Sequence, residues 1–410
     1  MLGTEPSATE ASHQISSEPG SRAGQYSLRR VGLATAPASE LSDWQAYFQL
    51  GDFHLPTDDP EWLQGFFQGQ IENLSGYLLY QSGALSGVAP FLRKDWPLRC
   101  HLGEIRVAQL PLRRLRLLGG KLNFPETEAA YDILFSELIA SEKAIDVISL
   151  HEVPIDSFLW NYLKSSRFIR REFRRYIPGA PSPHELLRFR GTFDDYMKKF
   201  SAKHRSELRR QVRRIREGAL GEMRFVRYTK PEEVEPFLEP AVEVSKKTFQ
   251  WNLHKRGLYA TDLIRQRLQF AAQHGWFRSY LLFCNNVPCA FRAGFQYRGR
   301  YLPLEIGFDP ALSKHSVGTV LQLLVIEEMF THDTPELIDF GGYGGWKHTL
   351  ATERYLESEV LLFRPGAYTR FVQEAHRACE FATKKLSRAF ERLQLKRAIK
   401  KMIRNWSNKS

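Results

Sequence analysis

The chain has 410 residues, 43% hydrophobic and 25% charged, which is typical of a globular protein with room for two ordinary domains. No stretch approaches the ~20 apolar residues of a membrane-spanning helix, and the four cysteines and twelve histidines lack the spacing of a disulfide framework or metal site. Most of the net charge of +12 lies in residues 366–410, where twelve Lys and Arg against three Glu leave +9, so we expect a basic appendage.

The first segment, residues 1–26, differs from the rest in composition. Ser, Glu, Gly and Ala dominate it and no apolar periodicity appears, so it is predicted to be disordered. It lacks the basic start and apolar run of a secretory signal. Together with cysteines that show no disulfide framework, this predicts a cytoplasmic protein.

Residues 27–180 are predicted to form a first α/β half. Apolar periodicity gives the element order strand, two helices, hairpin, strand, helix, strand, helix, strand. The predicted bounds are 26–33, 41–48, 61–67, 77–91, 113–118, 126–141, 145–150, 155–163 and 173–177. The run Pro178–Pro183 is predicted to be a linker because proline is frequent in it.

Residues 187–366 are predicted to form a second half with a similar element order. Thr192 and Asp195 have the spacing of a capping box and are predicted to open one basic helix that ends at Arg216. Further elements are predicted at 223–228, 231–249, 261–274, 278–297, 301–308, 316–329, 336–340 and 355–363. The fold class predicted from this order is α/β, with two copies of one mixed-sheet unit in tandem.

The stretch Tyr301–Leu350 is predicted to carry the ligand site. Its strand ends at Asp309-Pro310, a helix then starts near Ser316, and a short strand leads into the glycine-rich run Gly341–Gly345. A helix start and a glycine-rich loop at the ends of neighbouring strands are where α/β proteins usually bind ligands.

Glu305 is the candidate general base, and its surroundings depend on the preceding hairpin. A two-residue turn at Gly299-Arg300 is predicted, which places Arg292 on the same face as Glu305. Gly294 and Pro303 weaken strand pairing, so a splayed or bulged ladder is expected beside Glu305. Glu305 then either accepts a proton from an acceptor or forms an ion pair with Arg292.

The other candidates also have two interpretations. Backbone N–H groups at the helix start, with Lys314 nearby, suit an anion, but Ser316 could instead only cap the helix. Asp339 and Lys347 could contact the substrate or pair with each other. Tyr343 could donate a proton to a leaving thiolate or serve in packing. No metal is expected.

These residues together resemble the GNAT acyltransferases, and more closely the CelD-type and FemAB-like group with two GNAT-like halves. The resemblance rests on Gly307–Pro310, Ser316–Gly318, Ile338–Gly342 and Trp346-Lys347, and on the basic helix Ser201–Arg210, within residues 190–365. It implies that acyl-CoA is the co-substrate, with its pyrophosphate at Lys314, Ser316, Val317, Gly318 and Thr319. It also implies catalytic roles near Glu305, Asp339, Tyr343 and Lys347, and substrate contacts from Arg205, Arg292 and Trp346.

The function expected from this resemblance is transfer of an acyl group from CoA to an amine or hydroxyl of a cell-envelope or exopolysaccharide sugar or precursor. Two alternatives stay open. One is a FemAB-like transferase that uses aminoacyl-tRNA, and the other is an inactive binding component of a polysaccharide biosynthesis or export assembly. The basic helix lacks interleaved aromatic residues and so does not favour binding to nucleic acid. The tRNA alternative is the one exception.

The tail, residues 367–410, is predicted to be a basic amphipathic helix. Its apolar stripe is Phe371, Ala375, Cys379, Ala382, Leu386, Phe390 and Leu393. Such a helix suits the anionic inner face of the cell membrane, or it could pack on the catalytic half with its basic face in water.

Overall fold

The computed structural model describes residues 26–51, 55–103, 105–254 and 256–392. The predicted disordered segment up to residue 25 and the last part of the predicted tail, from residue 393, lie outside the described residues. No helix among the described residues is both long enough and apolar enough to cross a membrane.

The elements of the first half follow the predicted order, with additions. The strands are β1 (Tyr26–Gly32), β2 (Leu74–Gln81), β3 (Ala84–Asp95), β4 (Leu98–Leu102), β5 (Ile105–Leu110), β6 (Arg113–Leu117), β7 (Val147–Pro154), β8 (Arg174–Tyr176) and β9 (Ser182–Arg188). The helices are α1 (Ala38–Leu50), α2 (Pro60–Phe66), α3 (Glu128–Ser141), α4 (Phe158–Ser165) and α5 (Arg167–Glu172), with 3-10 turns at Pro56–Asp58 and Gln68–Asn73.

The second half has the remaining strands and most of the helices. Its strands are β10 (Met223–Tyr228), β11 (Ser279–Cys284), β12 (Val287–Tyr297), β13 (Arg300–Phe308), β14 (Leu337–Gly342) and β15 (Glu353–Phe363). Its helices are α6 (Phe193–Met197), α7 (Ala202–Arg216), α8 (Val234–Lys247), α9 (Phe249–His254), α10 (Asp262–Gln273), α11 (Val317–Thr331), α12 (Gly345–Leu350) and α13 (Ala367–Arg392). The 3-10 turns lie at Pro231–Glu233 and Pro310–His315.

One mixed sheet runs through both halves. Its strand order is β1-β2-β3-β6-β7-β15-β9-β14-β13-β12-β11-β10, and β8 also pairs with β15. The halves exchange strands at the centre. β9 leaves the first half and lies between β14 and the start of β15, whereas the end of β15 lies between β7 and β8 of the first half.

Helices cover the sheet of the second half on both faces. Helices α8 and α10 pack on one face with Phe291, Ala293 and Phe295, while α11 packs on the other with Tyr301 and Ile338. Aromatic residues of α1 and α2 join the α8–α10 core, where Trp62 stacks on Phe66 and meets Phe295, Trp276 and Tyr297 edge-on or tilted. Helices of the two halves therefore meet over the face of β12 that carries Phe295 and Tyr297.

Several sequence-based predictions are wrong in detail. The run Pro178–Pro183 is not wholly a linker, because Ser182 and Pro183 already pair with β15. The capping box at Thr192 and Asp195 is confirmed, but the helix that it opens is α6 alone. Ser201 caps α7 as a separate helix, since its side chain accepts from the His204 N–H. The β4–β5 hairpin was not predicted.

The tail helix packs on the first half, not on the second half as the alternative to membrane binding expected. Val372 is fully buried against Tyr176 and Leu361, and the Thr383 hydroxyl lies 2.7 Å from the His101 carbonyl oxygen to which it donates. The predicted apolar stripe lies only partly on the packed side, because Cys379 interacts with Cys100 of β4 whereas Phe371 is 59% exposed. Phe390 and Leu393 lie outside the residues whose side chains are described.

Candidate active site

The two strands that flank the candidate site part almost as soon as they meet. β13 and β14 run parallel and pair only at Arg300 with Leu337 and at Tyr301 with Ile338. Beyond Tyr301, β13 pairs with no described strand on that side for the rest of its length. A gap therefore opens between two strands inside the sheet.

A β-bulge lies in the β13 arm beside this gap. Ala293 pairs with Glu305 and Gly294 with Pro303, so Leu304 is the extra residue. Gly294 could not carry a side chain, because a Cβ would lie 2.9 Å from the Leu302 carbonyl oxygen. The expected bulge beside Glu305 is thus confirmed.

The hairpin turn lies one residue earlier in the chain than predicted, and the bulge that follows it separates Glu305 from Arg292. Tyr297 pairs with Arg300, so the turn residues are Arg298 and Gly299, with φ of 43° and 73°. With the bulge, Glu305 comes opposite Ala293, and Arg292 comes opposite Ile306. The predicted Arg292–Glu305 ion pair is wrong, because the two side chains are on opposite faces of the sheet.

Glu305 is half-buried and makes no ion pair with any residue in the described ranges. Burial raises the pKa of its carboxyl, and the charge of Arg256 offsets part of that effect. A carboxylate of raised pKa beside a gap between strands can accept a proton near neutral pH.

Arg292 is fully buried beneath α11. Its guanidinium donates to Gln322 and lies over the rings of Tyr301 and Phe340, at 4.8 and 5.6 Å from their centres. It stabilises the packing of α11 on the sheet, so it does not meet a substrate in the gap directly.

The start of α11 lies at the open end of the gap. Ser316 precedes it in the left-handed region, with φ of 56°, and its side chain does not cap the helix. The interpretation of Ser316 as a simple cap is therefore wrong. The Gly318 position faces β13, where a Cβ would lie 2.9 Å from the Phe308 ring. Lys314 and Thr319 are exposed beside it, whereas the Val317 side chain is buried and can offer only its N–H.

A buried ionic cluster lies at the closed end of the gap. His184 of β9 donates from Nε2 to Asp339 Oδ1 of β14 and from Nδ1 to Glu357 Oε2 of β15, each at 2.6 Å, and stacks on Tyr355 at 4.6 Å. Burial lowers the pKa of His184, but the hydrogen bonds to the two carboxylates outweigh it and raise the pKa to about 9. His184 is therefore an imidazolium at neutral pH, and it ties the exchanged strands together.

Asp339 has a second cationic neighbour. Arg300 Nη1 lies 3.3 Å from Asp339 Oδ2 across the last pairs between β13 and β14. Burial raises the pKa of Asp339, yet the hydrogen bond and charge of His184 and the charge of Arg300 lower it overall. Asp339 is held ionised, which does not suit a proton acceptor near pH 7.

Lys347 of α12 is a charge neighbour of this cluster but not an ion-pair partner of Asp339. Its Nζ donates to the Gly342 carbonyl oxygen at 3.0 Å. Burial lowers the pKa of Lys347, and the carboxylates of Asp339, Glu152, Glu357 and Glu185 oppose that shift. Trp346 packs edge-on against Phe340, and Tyr343 is 63% exposed in the glycine-rich loop.

The first half contributes a carboxylate to the same region. Glu152, at the end of β7, has a backbone φ of 57°, which is rare for a residue other than glycine and often marks a functional position. It makes no hydrogen bond or ion pair with another described residue, and burial together with Glu357 raises the pKa of its carboxyl. Its other charge neighbours are His184, Asp339 and Arg116.

The structure thus places the predicted site residues in separate regions along the gap and outside it. Asp339 and Lys347 lie at the closed end of the gap, and Glu305 lies four residues beyond the last pair, about 13 Å along the strand. The residues from Lys314 to Thr319 lie at the open end. Arg205 lies apart on α7, where it lines a surface depression with Ser206, Arg209 and Arg213.

Sequence reasoning missed His184, Glu357 and Glu152. A usable signal was present in β15, where Glu353, Tyr355, Glu357 and Glu359 alternate with other residues and give the strand one polar face. Among the described residues, no group of three or more His, Cys, Asp or Glu is arranged to hold a metal ion.

The comparisons with known proteins concern the fold of the chain. A family model described as an acetyltransferase (GNAT) domain matches residues 202–355, a segment that begins at α7 and ends early in β15. A crystal structure of FemX has a TM-score of 0.55 and 11% identity, covering 81% of this chain and 98% of FemX. The comparison with curated proteins finds no match.

Two further solved structures cover most of the chain at lower similarity. A tandem GNAT protein from the clavulanic acid biosynthesis pathway has a TM-score of 0.47 and 13% identity, covering 83% of this chain and 99% of that one. The C-terminal domain of a lysylphosphatidylglycerol synthetase from Agrobacterium fabrum, itself designated putative, has a TM-score of 0.45 and 10% identity, covering 82% and 96%. The fold is α/β with two GNAT-like halves in tandem, and the segment that matches the GNAT acetyltransferase model lies in the second half.

Proposed function

We propose that the protein is an acyl-CoA-dependent N- or O-acyltransferase, with acetyl transfer as the simplest case. The acceptor that we propose is an amine- or hydroxyl-bearing sugar, or its precursor, of the cell envelope or of an exopolysaccharide. The observation that carries this proposal is the gap between β13 and β14, with an uncapped helix start at one end and Glu305 on its edge.

The α11 start fits the pyrophosphate of acyl-CoA. The N–H groups of Val317, Gly318 and Thr319 have no partner within the helix, and the positive end of the helix dipole favours an anion there. Lys314 adds a mobile positive charge, and the Ser316 hydroxyl is free of capping. When bound, acyl-CoA supplies the activated acyl thioester.

Glu305 is the residue that we propose as the general base. Its carboxylate takes the proton from the attacking amine or hydroxyl of the acceptor, and its raised pKa makes that transfer favourable near neutral pH. Tyr343, exposed in the glycine-rich loop, is the proposed donor of a proton to the leaving thiolate.

The acceptor is proposed to bind where the two halves meet. Glu152 offers a carboxylate without a protein partner, and Asp339 and Lys347 offer charged groups beside it. Hydroxyl and ammonium groups of an amino sugar can donate to such carboxylates. Trp346, 37% exposed, offers an apolar edge for a sugar ring. Arg205, on α7, would meet only a larger acceptor that extends beyond the gap.

The first test is titration of the protein with acetyl-CoA and, separately, with tRNA, followed by turnover assays on a panel of amino sugars. Micromolar binding of acetyl-CoA with release of free CoA in the presence of an acceptor is the expected result. Binding of tRNA but not of acetyl-CoA would favour the aminoacyl-tRNA alternative. Polysaccharide binding without turnover of any donor would favour the inactive component.

The second test is Glu305→Gln. We expect kcat to fall by roughly 10²–10⁴-fold with little change in acetyl-CoA affinity or melting temperature. Arg292→Met serves as the comparison, because that side chain lies on the other face and should cost stability without such a fall in kcat. Full activity of the Gln variant would end the assignment of Glu305 as the base.

A further inference from the structure

The β4–β5 hairpin and α13 form one continuous unit at the edge of the first half. The Thr383 hydroxyl donates to the His101 carbonyl oxygen at 2.7 Å and accepts from the Gly103 N–H at 3.2 Å. Near the other end of the helix, the Tyr368 hydroxyl donates to the Pro111 carbonyl oxygen at 2.7 Å. The helix is therefore fixed along the hairpin and cannot be regarded as a free tail.

This unit comprises residues 96–110 and α13, about a tenth of the chain. It carries a much larger share of the exposed large hydrophobic residues. Of thirteen large hydrophobic residues that are exposed in the described chain, seven belong to it: Trp96, Ile105, Val107, Tyr368, Phe371, Phe381 and Leu386. Such a concentration on one unit marks an interaction surface more than scattered exposure does.

The orientation of α13 explains why these residues stay exposed. At 100° per residue, Val372, His376 and Thr383 share the side that packs on the first half. Phe381 and Lys385 lie on the opposite side, with the Lys385 ammonium 4.6 Å from the centre of the Phe381 ring. The apolar residues are thus intermixed with exposed cations rather than covered by protein.

The charge of the outer side is predominantly positive. Arg370, Lys384, Lys385 and Arg388 are exposed along it. Glu374, an exposed acid on this side, pairs with Arg174 and Arg377, and Glu380 is turned to Tyr176 of the first half. Six more Lys and Arg and no acid occur in residues 393–410. Aromatic residues among lysines and arginines suit the interface of an anionic bilayer, where the rings enter the headgroup layer and the cations meet phosphates.

We propose that the outer side of α13 and the exposed apolar residues of 96–110 form a docking surface for an anionic lipid bilayer. The protein lies on the bilayer by its first half and leaves the gap between β13 and β14 to substrates. This inference rests on the proposed location of the acceptor at the envelope but does not depend on the acyl-transfer chemistry.

The test is cosedimentation of the full chain with vesicles of phosphatidylcholine alone and of phosphatidylcholine mixed with phosphatidylglycerol in equal parts. Binding only to the mixed vesicles, weakened by added salt, is expected. Lys384→Glu with Lys385→Glu should weaken binding by about thirtyfold or more, since two cations are lost at the surface. Phe371→Ser with Phe381→Ser should weaken it about tenfold.

Matched control variants distinguish docking through this surface from general attraction of the protein to the vesicles. Arg213→Glu with Arg214→Glu changes an equally basic pair on α7, and Leu50→Ser with Val287→Ser removes equally exposed apolar residues elsewhere. Both should bind vesicles as the unmodified chain does. Equal binding to neutral vesicles, or equal loss in the α7 variant, would overturn the proposal. Acetyl-CoA binding without vesicles should be unchanged in every variant, so failure here is distinguishable from failure of the proposed function.

Discussion

The two halves have a similar element order but differ at the junction between their parallel strands. In the first half, β6 and β7 pair in parallel over four positions, from Arg114 with Val147 to Leu117 with Leu150. In the second half, β13 and β14 pair over two positions and then part. The repeated fold therefore contains one closed junction and one open junction.

The first half fills its junction with its own backbone. After β6 the chain turns through Gly119 and Gly120, and a Cβ on Gly120 would lie 2.7 and 2.8 Å from the carbonyl oxygens of Glu152 and His151. Only glycine allows this approach with φ of 68°. The space that a pantetheine arm would need is occupied.

The helices that follow the two junctions, α3 and α11, also differ in how their first turns are capped and charged. The Thr127 hydroxyl of the first half accepts from the Ala130 N–H, and Glu128 adds a negative charge to the first turn of α3. The α11 start has no side-chain cap, no acid in its first turn, and Lys314 and His315 just before it. Of these two helix starts, that of α11 is thus the one with no side-chain cap and with positive charge beside it, as a phosphate would require.

The largest expected effect concerns the ionic cluster that joins the halves. The pKa of His184 is raised from 6.5 to about 9 in the folded protein. Its contribution to stability is thus complete below pH 6.5 and is lost as pH rises through 9. We expect the free energy of unfolding to fall by about 3 kcal/mol across that window, measured by urea denaturation.

His184→Gln should remove this pH dependence as well as lowering stability, because Asp339 and Glu357 would then lack their shared cation. His332→Gln is the control, since His332 is exposed at the end of α11. If both variants keep the slope of the unmodified chain, His184 does not hold the exchanged strands through its charge.

The exchange of strands also shows where sequence reasoning stops. Periodicity predicted most elements of both halves within a few residues, because each helix and strand must bury one face. It could not predict that β9 and β15 cross between the halves, because strand partners distant in sequence leave no local pattern. His184 was therefore assigned to no site, although it is hydrogen-bonded to two strands from the other half.

The candidate site was predictable only in part, for a related reason. The weak pairing of Gly294 and Pro303 predicted a bulged ladder but not which residue would be extra, and the extra residue, Leu304, puts Arg292 on the other face from Glu305. A single-residue shift reverses every side chain of a strand. Residue type therefore gave a candidate base in Glu305 but could not identify its neighbours.

A smaller effect is expected from placing a carboxylate at each helix start. Gly318→Asp puts a negative charge where the pyrophosphate is proposed to bind and should weaken acetyl-CoA binding by about 2 kcal/mol, or ~30-fold, in a calorimetric titration. Ala129→Asp places the same group at the second residue of α3 and should leave the affinity unchanged. Gly318→Ala measures the steric part alone, since a Cβ there meets the Phe308 ring.

Equal losses of affinity in the Asp variants of both halves would contradict the assignment of the donor site to the second half. Equal losses in Gly318→Ala and Gly318→Asp would attribute the effect to packing against Phe308 and not to charge.

The smallest expected effect tests whether the start of α11 has a binding role where the start of α3 has a structural role. Thr127→Ala removes a hydroxyl that caps α3 and should cost about 1 kcal/mol of unfolding free energy without altering acetyl-CoA affinity. Ser316→Ala removes a hydroxyl that caps nothing, so stability should change by less than about 0.5 kcal/mol. Its affinity for acetyl-CoA should instead fall by about 1.5 kcal/mol, because a hydrogen bond to a charged phosphate is lost. The two variants should therefore show opposite patterns in denaturation and titration. A stability loss in Ser316→Ala with unchanged affinity would mean that α11 begins as an ordinary capped helix, and the contrast between the halves would then lie in the strand gap alone.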